Sequence, residues 1–420
     1  MILDWRIKGL PPRAEGLSPA ELVGLGLSLL DGDLMMPAAI VREEALARNV
    51  REMQAFADRH GALLCPHGKT SMSPELFRMQ LEAGAWGMTA ATAHHVRIYR
   101  RLGIGRVFLA NSLAGRADLE FVVGELAADS AFDFYALVDS PATVDLWEKA
   151  ARKAGLARPV QLLVETGMAG GRAGVRSVGE AVEVARHIAG AAPWLALRGA
   201  ETFEGIHPAG ADGRLGAADM IDVAIIAAHD MIREGLLAEG PLLLSAGGSA
   251  FLDLCAAKLP ARIEGREVVR IIRPGCYVTH DSGCYHRIFA GGLPESAPPG
   301  ADLPRLAHAL EVWAPVLSVP EPGLAIVGAG KRDFSYDLEP PIPLHVYPIG
   351  NTGKLEPADG LCVTRLWDQH AALSMPDSAL TVGDLVGFGI SHPCATFDRW
   401  RALLTVDRDY RVTGAVTTLF

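Results

Sequence analysis

Between Ala62 and Gly275, short apolar runs of strand length alternate with amphipathic stretches of helical period. The apolar runs predict strands at Ala62–Cys65, Trp86–Ala91, Arg106–Asn111, Phe132–Val138, Val160–Glu165, Leu197–Phe203, Leu242–Ala246 and Val269–Arg273. The stretches between them predict helices, among them Glu75–Ala83, Ala114–Ala127, Val178–Ala189 and Ala217–Gly235. Eight alternating units predict an α/β chain folded as a (β/α)8 TIM-type barrel. An open doubly wound sheet uses the same alternation, and periodicity alone does not separate the two.

Ahead of this region, Met36–Val41 reads as a strand and Glu43–Asp58 as a helix with Leu46, Val50, Met53 and Phe56 along one side. After about residue 290 the texture changes, beginning with the Pro/Gly-rich stretch GGLPESAPPGADLP. Runs at Leu324–Gly328, Leu344–Tyr347, Gly360–Leu366, Leu385–Ile390 and Ala415–Leu419 then predict a smaller, mainly β domain. The expected division is an N-terminal segment, 1–35, packed on the β domain; a barrel, 36–290; and the C-terminal β domain, 291–420.

Composition narrows the partners. Of 420 residues half are apolar and 21% are charged, so most of the chain should fold around cores. A net charge of -10 gives no general attraction for nucleic acid or anionic lipid, which favours a small-molecule partner. No apolar run of about 18 residues occurs, and the start, MILDWRIKGL, lacks a basic end followed by an apolar stretch. The six cysteines are scattered, with no CxxC pair, which suits a reducing compartment. A cytoplasmic location, off the membrane, is the expectation.

Three segments carry candidate chemistry. Cys65-Pro66-His67-Gly68-Lys69-Thr70 directly follows the first predicted strand, which puts Lys69 on the carboxyl-end loops where barrel enzymes act. A lysine there can join an aldehyde cofactor as an imine, although location alone also fits an exposed loop lysine. After the seventh strand comes Ser245-Ala246-Gly247-Gly248-Ser249, and after the eighth Arg273-Pro274-Gly275-Cys276-Tyr277. Barrels commonly bind phosphate on these last two loops, where glycines let backbone N–H groups approach the anion. An imine lysine and a glycine-rich phosphate cradle together describe a pyridoxal phosphate (PLP) site.

Those residues carry a resemblance. PHGKTSMSPELFRMQLEAGAWGMTAAT (Pro66 to Thr92), ETGMAGGRAGV (Glu165 to Val175), Gly247-Gly248-Ser249, RPGCYV (Arg273 to Val278) and Ser391-His392-Pro393-Cys394 resemble the alanine racemase-like PLP enzymes of fold type III. Within that group the likeness is to the D-serine dehydratase and D-threonine aldolase family. It implies that Lys69 is the imine lysine and the base for the α-proton. It further implies that Gly247, Gly248, Ser249, Gly275, Cys276 and Tyr277 surround the phosphate, that Arg172 sits near the ring, and that Thr92 touches the cofactor. Where relatives set a His or Tyr against the ring, this chain has Phe203, which can stack but not hydrogen-bond. His207 follows shortly and is open as a substitute or as a loop residue.

His392 and Cys394 are two apart, so an extended segment turns both to one face, and imidazole with thiolate suits zinc. On spacing alone the commoner reading of such a pair is a surface histidine beside a half-buried cysteine. The resemblance favours zinc, because the family's D-serine dehydratases carry His-x-Cys there and its D-threonine aldolases tend to carry His-x-Asp. It also offers His370 as a match to an upstream histidine of open role. The implied activity is a zinc-assisted β-elimination from D-serine or a related D-3-hydroxy amino acid, giving a 2-oxo acid and ammonia. Retro-aldol cleavage and racemisation are the alternatives, with Tyr336 and Tyr347 available to the latter. The resemblance implies a homodimer.

Overall fold

The computed structural model describes residues 2–208, 211–248, 250–289, 302–349, 353–375 and 380–420. Strand β1 (Ala38–Arg42) runs into α1 (Glu43–Arg59). The alternating series follows: β2 (Leu63–Leu64), α2 (Pro74–Glu82), β3 (Met88–Ala90), α3 (Ala93–Arg101), β4 (Arg106–Leu109), α4 (Arg116–Ala128), β5 (Asp133–Val138) and α5 (Pro141–Ala154). It continues with β6 (Val160–Thr166), α6 (Val178–Gly190), β7 (Leu195–Thr202), α7 (Ala211–Arg233), β8 (Leu242–Ala246) and α8 (Leu252–Lys258). A hairpin of β9 (Arg262–Ile263) and β10 (Arg266–Ile272) completes it, and α9 (Cys284–Phe289) leads out. Helix boundaries follow local chemistry: Ser140 and Thr143 form a capping box at the start of α5, Pro141 fills its first turn, and Gly155 ends it in the left-handed conformation.

Strands pair in parallel in the order β2-β10-β8-β7-β6-β5-β4-β3. The two ends of that order meet: Trp86 N–H donates to Leu64 O at 2.7 Å and Thr89 N–H to Pro66 O at 2.8 Å, with a parallel bridge between His67 and Thr89. The sheet therefore closes, which excludes the open alternative and realises the (β/α)8 expectation. Pro66, lacking an N–H, limits β2 to two residues, shorter than predicted. Alternation sorts the strand side chains. Phe108, Tyr135, Leu137, Leu163, Leu243 and Ile271 fill the barrel interior. Their neighbours, such as Val107, Phe134, Leu162, Leu244 and Ile272, pack outward under the helices.

The second sheet is built by both ends of the chain. Its strands are β11 (Leu310–Glu321), β12 (Leu324–Val327), β13 (Ile342–Tyr347), β14 (Glu356–Pro357), β15 (Cys362–Leu366), β16 (Ala371–Ser374), β17 (Leu385–Gly389), β18 (Ala402–Val406) and β19 (Val412–Thr417), with the helical turn α10 (Cys394–Phe397) before β18. The main order is β14-β13-β17-β11-β1-β18-β19, so β1 is a central strand, antiparallel to β11 and parallel to β18. One face packs around Val312, Phe334, Phe388 and Leu403; the other joins Trp313, Leu404 and Tyr410 to Leu3, Ile7, Leu10 and Leu22 of the N-terminal segment. Bonds between the two bodies include Ser282 N–H to Ile390 O at 2.9 Å, Leu419 N–H to Met72 O at 2.9 Å, and Thr417 to the Glu75 carboxylate at 3.0 Å. Among the described residues no helix is long and apolar enough to cross a membrane.

Candidate active site

The inward parity that builds the barrel core continues to its carboxyl rim and there changes from apolar to ionisable. Two residues beyond Leu163 comes Glu165, which stands in register with Glu201 on β7; two beyond Ile271 comes Arg273. All three line a cavity of about 290 Å³ together with His67, Lys69, Asn111, Arg172, Phe203 and Gly247. The Arg273 guanidinium donates to the Glu201 carboxylate, with side chains 3% and 1% exposed. Its cation lies 5.0 Å from the centre of the Phe108 ring, at the top of the apolar interior.

The pair leaves bonding capacity over. Among the described residues, Arg273 Nε, Glu201 Oε2 and His67 Nδ1 are buried without hydrogen-bond partners. Burial and the adjacent Glu201 push the Glu165 carboxyl up to about 8. Burial also raises Glu201, with Arg273 pulling the other way. Beside Lys69, burial and the lysine's own charge hold His67 well below its ordinary value, and burial lowers His95 to about 4. Both imidazoles are thus neutral at pH 7.

After β8 the backbone turns at Gly247, whose φ of +138° favours glycine and whose hypothetical Cβ would lie 2.9 Å from Arg273 N. The N–H groups of Gly247 and Gly248 each donate at 2.9 Å to the fully buried carboxylate of Glu204. This loop is thus already bonded to a carboxyl group of the chain itself, which burial raises above its ordinary value while the Gly247 N–H pulls the other way. Gly275 is needed for close approach, since a Cβ there would meet Thr70 Oγ1 at 2.5 Å and His67 O at 2.9 Å.

Of the residues singled out from sequence, Lys69, Arg172, Phe203 and Gly247 line the cavity. Arg172 lies over the Phe203 ring at 4.6 Å. Thr92 caps α3, its hydroxyl accepting from His95 N–H at 3.2 Å. The Tyr277 hydroxyl points into the core and accepts from Gln80 at 2.9 Å, so its ring is turned away from the cavity lining. Ser249 lies outside the described residues. His207 packs against α7, 3.2 Å from the Met220 sulfur, and His370 is exposed between β15 and β16.

The loop after β17 brings His392 and Cys394 to this rim. Cys394 Sγ is 3.4 Å from Thr70 Oγ1, one residue beyond Lys69, and 3.6 Å from Cys276 Sγ. His392 Nδ1 is 2.5 Å from Asp337 Oδ2. Contact with the Cys394 sulfur pushes His392 up to about 9, while the Cys276 thiol, His392 and Thr70 hold Cys394 well below its ordinary value against burial. Among the described residues no three His, Cys, Asp or Glu side chains enclose a common point where a metal would sit.

Residues 41–278 match the alanine racemase N-terminal domain, more than half of the chain. The chain belongs to this family. Residues 309–406 match a putative serine dehydratase domain, which places both of this family member's metal candidates inside a second recognised module. The D-threonine aldolase of Arthrobacter sp is 26% identical over 398 residues, covering 94% of each chain. The solved D-threonine aldolase from Filomicrobium marinum superposes with a TM-score of 0.76 at 24% identity, covering 96% of this chain and 98% of that one. The D-threo-3-hydroxyaspartate dehydratase from Delftia sp. HT23 gives 0.71 at 23%, covering 93% and 99%. These structural likenesses establish the alanine racemase-like fold, barrel and β domain together.

The Glu201–Arg273–Glu165 group and the Glu204 anchor escaped the sequence reading. Counting by two from Leu163 and Ile271 is the signal that finds the first; nothing local marks the second.

Proposed function

We propose that this chain is a PLP- and zinc-dependent lyase that removes water from a D-3-hydroxy amino acid, D-serine or a relative, to give a 2-oxo acid and ammonia. The observation that carries the reading is the approach of Cys394 to Thr70, which sets the His392/Cys394 pair of the β domain against the turn that bears Lys69. Bound PLP would supply an electron sink at the substrate α-carbon, and zinc a Lewis acid for the β-hydroxyl.

The donor set suits both groups. The turn Gly275–Tyr277, where only a glycine permits the close approach to the Thr70 turn, suits a phosphate bound on backbone N–H groups. The unpartnered Arg273 Nε and Glu201 Oε2 suit the polar atoms of a flat ring laid against Phe203. Lys69 Nζ takes the α-proton, and neutral His67 and His95 beside it add no positive charge that would oppose protonation. His392, fixed through Nδ1 by Asp337, presents its other ring nitrogen. The Delftia enzyme's type has been solved as a cysteine-to-alanine mutant in a metal-free form, which supports giving Cys394 a metal-binding role.

Retro-aldol cleavage is the second reading, favoured by the end-to-end match to D-threonine aldolase. A D-amino acid substrate and a homodimer belong to either reading. Products separate them. With PLP and zinc, D-serine and D-threo-3-hydroxyaspartate should yield 2-oxo acid and ammonia; glycine and acetaldehyde from D-threonine, with no 2-oxo acid from any of these substrates, would replace the dehydratase by the aldolase.

A further inference from the structure

The barrel chain leaves β10 through Arg273, Pro274 and Gly275 and enters a tight turn, Cys276–Val278, that faces the β domain. Cys276 is the first residue of that turn and is 8% exposed. Its sulfur stands 3.6 Å from that of Cys394, 118 residues away and on the other body of the molecule. We propose that Cys276 is the third protein ligand of the metal ion held by His392 and Cys394; this rests on the zinc reading of that pair.

The distance is the first argument. A disulfide would need about 2.0 Å. Two thiolates on one tetrahedral zinc, each about 2.3 Å from the ion, stand about 3.8 Å apart. The separation here, 3.6 Å, is a thiol–thiol contact rather than a bond, and the two sulfurs need move apart by only about 0.2 Å to share an ion. Stoichiometry is the next: His392 and Cys394 alone are two ligands, whereas catalytic zinc sites keep three from the protein and leave one position open, Cys₂His being one known set. Charge agrees as well, since two thiolates and a neutral imidazole balance a dication in a mostly buried place.

Orientation completes the case. Asp337 takes His392 Nδ1 at 2.5 Å, the carboxylate–histidine arrangement that aims the remaining nitrogen at a metal. The loop backbone is anchored by His392 N–H to Ser335 Oγ at 3.2 Å and Thr396 N–H to Pro393 O at 3.0 Å, which fixes where the His392 and Cys394 side chains leave the chain. An ion so held would clasp the 391–394 loop to the barrel loop that follows β10.

The test is X-ray absorption on the zinc-loaded holoenzyme, unmodified, with zinc retention against a chelator measured for C276S and C394A. Two sulfur neighbours at about 2.3 Å per zinc are expected. C276S, shown folded by circular dichroism, should lose affinity by more than the 10–100-fold that removal of an outer-shell partner costs. One sulfur per zinc, or parental retention by C276S, overturns the third ligand while the His392/Cys394 site stands. A zinc-free parent enzyme would overturn both, and a Cys276–Cys394 disulfide in the zinc-loaded enzyme would overturn the third ligand.

Discussion

The two bodies of this molecule furnish the rim by opposite means. In the barrel the rim residues are delivered by strand ends and the loops that follow them: alternation carries Glu165, Glu201 and Arg273 inward, and the turn after β2 sets Lys69 beside them. The β domain delivers a single loop, 391–394, and holds it only after both chain ends meet in one sheet, with β1 between β11 and β18. The cofactor half of the site thus depends on the barrel's own strand pairings, β2 on β10 among them, and the metal half on the sheet that joins both chain ends. Damage to one half should leave the other measurable.

The sharpest division is expected from K69A, which should lower turnover by at least about 10²-fold and abolish covalent attachment of the cofactor, with zinc content unchanged. Loss of zinc in K69A would break the separation. W313A should act on the other half. Trp313 is fully buried, donates to Glu311 at 2.8 Å and packs edge-on against Tyr410 at 5.2 Å. Its removal should cost about 3–5 kcal/mol by urea denaturation and reduce zinc retained on dialysis more than cofactor affinity.

A smaller effect sits inside the barrel. Folding raises the Glu165 carboxyl from its ordinary 4.5 to about 8, so above pH 4.5 the folded state keeps a proton that the unfolded state has released. That contribution is complete below about 4.5 and is lost as pH rises through about 8. The parent's cofactor-free thermal midpoint should therefore fall across that window, and E165Q should fall less steeply; parallel curves would remove Glu165 from the account. T92A should do least, costing about 1 kcal/mol for the lost cap on α3 and leaving cofactor affinity as it was. A large loss of cofactor affinity would make Thr92 a cofactor contact as well as a cap.

Legibility followed the same division. The eight parallel strands could be read because short apolar runs alternating with helical periods are properties of neighbouring residues, whereas the closure of the sheet shows only in the bonds that join its two ends. β1 read as a strand, but its place between β11 and β18 did not show, since pairing partners more than 250 residues away leave no mark on Ala38–Arg42. The Glu201–Arg273 pair was hidden for a related reason: each residue alone looks like a strand-end charge, and only the barrel's closure makes them partners. Tyr277 was read by its position in the loop, whereas its ring direction is set by Gln80 on α2.

The central claim, that Lys69 bears the cofactor at this rim, is tested most directly by borohydride reduction of the PLP-loaded protein followed by peptide mapping. The account predicts the label on the peptide containing Lys69 and none on K69A. Label on a different lysine, or a parent protein that fixes no cofactor, would contradict it.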